Sequence, residues 1–265
     1  MGVLNVTPDS FSDGSRFLNP AQAIERALQI AAEGADILDL GGESTRPGAQ
    51  EISAEEELQR VLPVLDALAG SYPIPISVDT SKSEVALAAL ERGAAILNDV
   101  TALKNDPEIG ALAARYHAGL ILMHMRGQPR NMQLLAPSPD ILAETEAWSE
   151  TVVARAESYG VASDQIMLDP GIGFGKTAEQ NLELLRNLNR MAAKGFPILI
   201  GTSRKSFIGK ILDKPAGSRI WGTAASVAAA AIFGAHMVRV HDVAEMRDVV
   251  TVVDAIIGQA DRSDN

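Results

Sequence analysis

The chain has 265 residues, 46% of them hydrophobic, a formal net charge of −11 and no cysteine. Such a length fits one large α/β domain or two ordinary ones, and the missing thiols exclude disulfides, thiolate metal sites and a cysteine nucleophile while fitting a reducing compartment. A pI near 4.8 argues against a nucleic-acid surface, so an anion has to be met by a few focused cations and backbone N–H groups.

In chain order, the run Val3–Val6 carries one amide, Asn5, and breaks into a loop of Thr, Pro, Asp, Ser and Gly. That is how a buried strand ends in a polar loop, and the Asn5 amide needs a partner because an unpaired buried polar group costs about 1–3 kcal/mol. No basic region followed by an apolar stretch opens the chain, so no signal peptide is expected and a cytoplasmic location is. Further strands are predicted at Ile37–Leu40, Ile74–Val78, Ala95–Leu97, Gly119–Met123, Ile166–Leu168, Ile198–Ile200 and Met237–Val240. Segments of helical period lie between them: Pro20–Glu33, Ala54–Ala69, Ser81–Arg92, Pro107–Tyr116, Ile141–Tyr159, Ala178–Ala193, Gly222–Phe233 and Val243–Gly258. Asn19 suits a cap before Pro20, Ser53 with Glu56 reads as a capping box, and Gly34, Gly93, Gly160 and Gly195 stand where helices end in a left-handed residue. The longest apolar run, 224–233, is too short to span a bilayer and contains Ser226. Arg126–Pro139 is the longest loop and Asp213–Arg219 a second one.

Strict alternation of eight strands and eight helices implies a parallel sheet, and the size is that of a single-domain (β/α)8 TIM barrel over 1–265. No Gly-x-Gly-x-x-Gly turn follows the first strand, which disfavours a doubly wound dinucleotide fold. In a barrel the working face forms where strands end. Every strand delivers a polar group there: Asn5; Asp39; Asp79; Asn98; His124; Asp169; Ser203, Arg204 and Lys205; Arg239, His241 and Asp242. Singly, such residues are usually caps, turns or solvated charges, and Asp99, Ser81 and Asp242 are read that way. Together, Asp39, Asp79, Asn98 and Asp169 form an acceptor-rich mouth suited to a ligand bearing N–H and amino donors. Arg46, Arg204, Lys205, Arg239 and His241 form an anion site for phosphate or carboxylate. Gly171, Gly173 and Gly175 fit a backbone nest or a tight loop, and a P-loop is not expected. His117 and His236 read as structural, and most methionines as core filler, although Met123 at a strand end could wall a flat ligand. No zinc-binding histidine pattern and no Gly-x-Ser-x-Gly elbow is present.

The segments Met1–Gly14, Asp39–Gly48, Ser77–Thr80, Asn98–Val100, Leu168–Lys176, Ser203–Ser206 and Val238–Asp242 resemble those of the dihydropteroate synthases, and the likeness extends over essentially the full chain. The first, second and sixth are the specific ones. The resemblance implies condensation of 6-hydroxymethyl-7,8-dihydropterin diphosphate with 4-aminobenzoate to 7,8-dihydropteroate and diphosphate, a step of folate synthesis inhibited by sulfonamides. It gives the pterin site to Asp79, Asn98, Asp169 and Lys205, with Met123 and Phe174 along the ring faces and Asp39 deeper. Thr45, Arg46, Pro47, Ser203 and Arg204 fall in the aminobenzoate pocket. Asn5 matches a Mg2+ ligand reached with the diphosphate, which Arg239 and His241 also hold. Asp79, Lys205, Arg239 and His241 carry the chemistry: C–O cleavage runs ahead of attack, through a cationic methylene beside Asp79, and the aryl amine needs no strong base. Mobile loops are implied at Thr7–Phe17 and Gly42–Ile52, as is a homodimer, for which 224–233 and 249–257 offer apolar surface. Members commonly carry residues ahead of the first strand, and Ser15-Arg16 replaces a Gly-Gly-like turn. Thr45-Arg46-Pro47-Gly48 is intact, so no sulfonamide-resistant form is expected. Two other classes compete: a pterin-binding methyltransferase with a corrinoid partner, which has no use for the phosphate machinery, and a non-catalytic pterin-binding paralogue.

Overall fold

The computed structural model describes residues 1–7, 20–45, 48–135 and 137–258. Arg46, Pro47, Asn19 and most of the loop expected at Thr7–Phe17 therefore lie outside the described residues.

Eight short parallel strands form the centre: β1 (Gly2–Asn5), β2 (Leu38–Gly41), β3 (Ile76–Asp79), β4 (Ile96–Asp99), β5 (Gly119–Met123), β6 (Ile166–Asp169), β7 (Leu199–Ile200) and β8 (Met237–Val238). The first six are hydrogen-bonded in sequence order and the last two pair with each other. Single parallel bridges join the blocks at both seams, Leu168 with Ile198 and Gly2 with Val240. The ring of the expected barrel is thus connected around its circumference, and the expected eighth strand shortens to two residues plus that bridge.

The helices are α1 (Pro20–Ala32), α2 (Ala54–Leu68), α3 (Ser83–Leu90), α4 (Glu108–Tyr116), α5 (Ile141–Ser158), α6 (Ala178–Arg186), α7 (Leu188–Ala192), α8 (Ser206–Leu212), α9 (Ile220–Ile232) and α10 (Val243–Ile257). None of the described helices is long and apolar enough to cross a membrane. Their apolar stripes cover the outward side chains of the strands. Leu38, Leu40 and Val78 meet Ala27, Ile30 and Val61 on one side, and Leu97, Leu120 and Leu168 meet Ile109, Val152 and Leu184 on the other.

Several local expectations change. The helix expected over Ala178–Ala193 breaks at Asn187, whose φ of −117 leaves the helical range, and whose side-chain amide donates to the Glu183 carbonyl at 2.8 Å. Helix α8 was not expected. Ser53 Oγ does accept from Glu56 N, but the Glu56 carboxylate turns to Arg60 instead of closing the box. A complete capping box forms at Thr177 and Gln180. Gly34, Gly93, Gly160 and Gly195 all hold the positive φ expected of them.

Side chains alternate across a strand, so residues two apart share a face. Inside the barrel, Met1, Ile37, Ile96, Ile121, Met167, Leu199 and Met237 form one apolar floor. Two residues further along come Val3, Asp39, Asn98, Met123, Asp169, Gly201 and Arg239. The period of two therefore stacks a layer with four polar side chains, Asp39, Asn98, Asp169 and Arg239, directly on an apolar one.

Candidate active site

At the strand ends Asn5, Gly41, Asp79 and Asn98 are neighbours in register. Gly41 is the gap between two functional side chains: a Cβ there would stand 3.4 Å from Asn5 Oδ1 and 3.5 Å from Asp79 Cβ. Asp39 sits one step deeper and is fully buried, while Asp79, Asn98, Met123 and Asp169 are all at least nine-tenths buried.

Arg239 reaches into this layer. Its Nε donates to Asp39 Oδ2 at 2.6 Å and its Nη2 to Asp79 Oδ2 at 2.9 Å. Asn98 Nδ2 donates to the same Asp39 oxygen at 3.3 Å. Asp39 Oδ1 and Ser77 Oγ, buried at register-paired positions, have no hydrogen-bond partner. The arginine expected to hold diphosphate is, in this structure, the countercharge of the acids. Burial pushes the Asp79 carboxyl up to about 8, with Arg239 opposing and Asp39 reinforcing the rise. Burial likewise raises Asp169, against the pull of Lys205, and lowers Lys205 to about 8 against the pull of Asp169.

The Gly-rich loop after β6 supplies the opposite wall. Asp169 Oδ1 accepts from Gly171 N at 2.7 Å. Lys205 Nζ donates to the Ile172 carbonyl and lies 4.5 Å from the centre of the Phe174 ring. Gly171 and Gly175 have φ of +67 and +69, and a side chain at either would collide with a backbone carbonyl, of His124 or Arg126. The chain accordingly runs as a tight loop here. Gly175-Lys176-Thr177 stands in the sequence, but residue 170 is Pro where a P-loop requires Gly. Its lysine faces inward: Lys176 Nζ donates to the carbonyls of Gly171 (2.9 Å), His124 (3.0 Å) and Phe174 (3.1 Å). Burial pushes Lys176 down to about 7. His124 is buried against Trp148 and held neutral, its pKa pushed down to about 2 by burial and then by the Lys176 charge.

At the seam of β7 and β8, His241 Nδ1 lies 3.1 Å from Ser203 Oγ, and His241 N donates to the same hydroxyl at 3.3 Å. Arg204 turns outward in a left-handed conformation (φ +58) and forks the carboxylate of Asp242, which was expected to be a cap and makes no side-chain cap bond. Arg219, not singled out from the sequence, donates to the Arg204 carbonyl at 2.9 Å and the Lys205 carbonyl at 3.3 Å and so fixes their loop. Asp99 is the turn residue expected, accepting from Thr101 and Leu103. His236 is structural, its Nδ1 accepting from Ile198 N at 3.1 Å.

Thr45 is half-buried on the loop after β2. The root of that loop is tied down by Lys82 Nζ, 2.6 Å from both Glu43 Oε2 and the buried Glu57 Oε2, while Glu43 Oε1 accepts from Ile52 N at 3.0 Å. Burial opposes the Lys82 charge, but these two carboxylates hold its pKa above the usual value. No group of three or more His, Cys, Asp or Glu among the described residues could cage a metal ion. Asn5 Oδ1 stands beside Gly41 at this mouth, a single side-chain oxygen that a cation could share with the oxygens of a ligand.

The pterin binding enzyme family matches residues 1–241. A dihydropteroate synthase of Synechocystis sp. is 50% identical over 257 residues, covering 97% of this chain and 89% of that protein. The crystal structure of Yersinia pestis dihydropteroate synthase with a sulfonamide drug complex superposes with a TM-score of 0.92 at 41% identity, covering 97% of this chain and 93% of the other. That of the Xanthomonas albilineans dihydropteroate synthase with 4-aminobenzoic acid gives 0.90 at 41% identity, covering 97% and 92%.

Proposed function

Since the chain belongs to the pterin-binding enzyme family, and within it to the dihydropteroate synthases, we propose that it joins 6-hydroxymethyl-7,8-dihydropterin diphosphate to 4-aminobenzoate, releasing diphosphate. The supporting observation is one mouth in which three buried carboxylates and an amide, Asp39, Asp79, Asp169 and Asn98, lie beside Lys205 and Arg239.

A pterin edge presents ring N–H and amino donors, which Asp79 and Asp169 accept, and a carbonyl and ring nitrogens, which Asn98 and Lys205 complement. Met123 and Phe174 wall the ring, and Asp39 completes the floor of the pocket. The ionised form of Asp79 is costly where it lies and favours a positive neighbour. Arg239 fills that place in the free fold, and the cationic methylene left by departing diphosphate fills it during reaction. Arg239 and His241 meet the charge developing on diphosphate. Thr45, Arg46, Pro47, Ser203 and Arg204 take 4-aminobenzoate and its sulfonamide mimics, and the aryl amine, unprotonated near neutral pH, attacks the methylene carbon. Mg2+ suits the donor set, since it binds through one or two protein oxygens together with substrate phosphates. Asn5 would hold it, and when bound it would neutralise diphosphate charge.

The working unit is a homodimer. Trp221 (79% exposed), Ile256 (75%), Val252 (59%) and Ile232 (54%) leave an apolar face on α9 and α10, in keeping with the segments expected from the sequence. Trp221→Asp with Ile256→Asp is expected to halve the mass in sedimentation, and an unchanged mass would remove this face as the interface.

Incubation with both substrates and Mg2+ is expected to release diphosphate and form dihydropteroate. Methyl transfer to a cobalamin protein without diphosphate release would overturn the reading, and pterin binding without turnover would leave only a binding protein.

A further inference from the structure

We propose that Lys176 is a positioning residue for the pterin: its amine gathers the carbonyls of Gly171, Phe174 and His124 and thereby holds the Phe174 ring at the mouth. Three backbone acceptors from two different loops converge on one buried nitrogen at 2.9–3.1 Å. Two come from the loop after β6 and one from the end of β5, so the amine sets the loop's position relative to a neighbouring strand. Gly171 and Gly175 let the backbone close around it at places where any side chain would strike a carbonyl. Turning these carbonyls inward leaves Phe174 facing the other way, toward Lys205 Nζ. A buried carbonyl without a donor is costly, so an apolar side chain at 176 would take the donor from the His124 and Phe174 carbonyls, leave Gly171 O only its bond from the Phe174 N–H, and release the loop.

This role rests on the reading of Phe174 and Asp169 as pterin contacts, and the test separates the two. Affinity for 6-hydroxymethylpterin is measured by its fluorescence on wild type, Lys176→Met, Phe174→Leu, the double variant and Asp169→Asn, with circular dichroism and thermal melting as folding controls. Lys176→Met is expected to weaken pterin about tenfold. The double variant is expected to be no weaker than the worse single one, because Lys176 acts through Phe174. Unchanged affinity in Lys176→Met, or losses that multiply in the double variant, would overturn the role while Asp169→Asn still lost binding. If Asp169→Asn also kept full affinity, the pterin site itself would be misplaced. Should Lys176→Met not fold, Lys176→Gln, with two N–H donors on a shorter arm, carries the same measurements: partial loss supports the role and full affinity overturns it.

Discussion

Arg239 Nη2 lies 2.9 Å from Asp79 Oδ2 across 160 residues of chain. The same guanidinium holds Asp39, which is fully buried. Removing one partner of a buried ion pair leaves an uncompensated charge. Arg239→Ala is therefore expected to lower stability by about 3 kcal/mol in urea unfolding. It should also weaken the pterin diphosphate far more than the bare pterin, and equal losses in calorimetry would count against a diphosphate role.

Because burial pushes Asp79 up to about 8 against the opposing charge of Arg239, a protonated fraction is expected there in the free protein at neutral pH. A pterin donating N–H bonds needs the carboxylate. Binding below pH 8 should therefore release a proton, and affinity should rise up to ~tenfold per pH unit toward that value, then level off. Calorimetry in two buffers of different ionisation enthalpy measures the proton directly, and Asp79→Asn should abolish its release. The stability sign is opposite. A carboxyl whose folded pKa is raised gives stability that is full below the unfolded value of 3.8 and is lost as pH climbs from there to about 8, so wild type should lose ground to Asp79→Asn between those values and no further above them.

Ser203 and His241 share a hydroxyl contact at 3.1 Å, although one is assigned to aminobenzoate and the other to diphosphate. Ser203→Ala should then raise KM for both substrates, about three- to tenfold each on the scale of one lost hydrogen bond. Steady-state kinetics with each substrate varied in turn would show it, and an effect confined to 4-aminobenzoate would uncouple the two subsites.

Gly171 and Gly173 offer a graded pair. Both have positive φ, but a Cβ at 171 meets a backbone carbonyl, whereas at 173 it meets the Lys205 side chain at 3.1 Å. Gly171→Ala is expected to cost more than 2 kcal/mol, roughly 4–8 °C in Tm, and Gly173→Ala about 1 kcal/mol. Similar melting points for both would contradict the tight packing of this loop.

The barrel and most of its mouth were readable because each strand is an apolar run abutting a polar residue, as at Asp79, Asn98 and Asp169. What could not be read were pairings between distant strands. Nothing local to Arg239 says that it turns to Asp39, 200 residues away, rather than to solvent or a phosphate. Arg204 looks like another mouth cation until its left-handed backbone sends it to Asp242. Helix α8 spans only seven residues, too few for a clear period, and the break at Asn187 carries no Gly or Pro to announce it. Lys176 was passed over although a Lys closing a run of three alternating glycines is a signal: an amine beside a crowded, side-chain-free backbone has carbonyls to meet.

The seams have a consequence for how the enzyme comes into being. The six-strand block carries Asp39, Asp79 and Asp169, and the two-strand block is followed by Lys205 and Arg239. Single bridges join the blocks. Without the last quarter of the chain, Asp39 and Asp79 in the larger block lack the guanidinium that holds them both, and Asp169 keeps only Lys176 of the two lysines that act on it. Docking thus brings together opposite charges, the acids at the strand ends of the larger block and the bases that follow the smaller one.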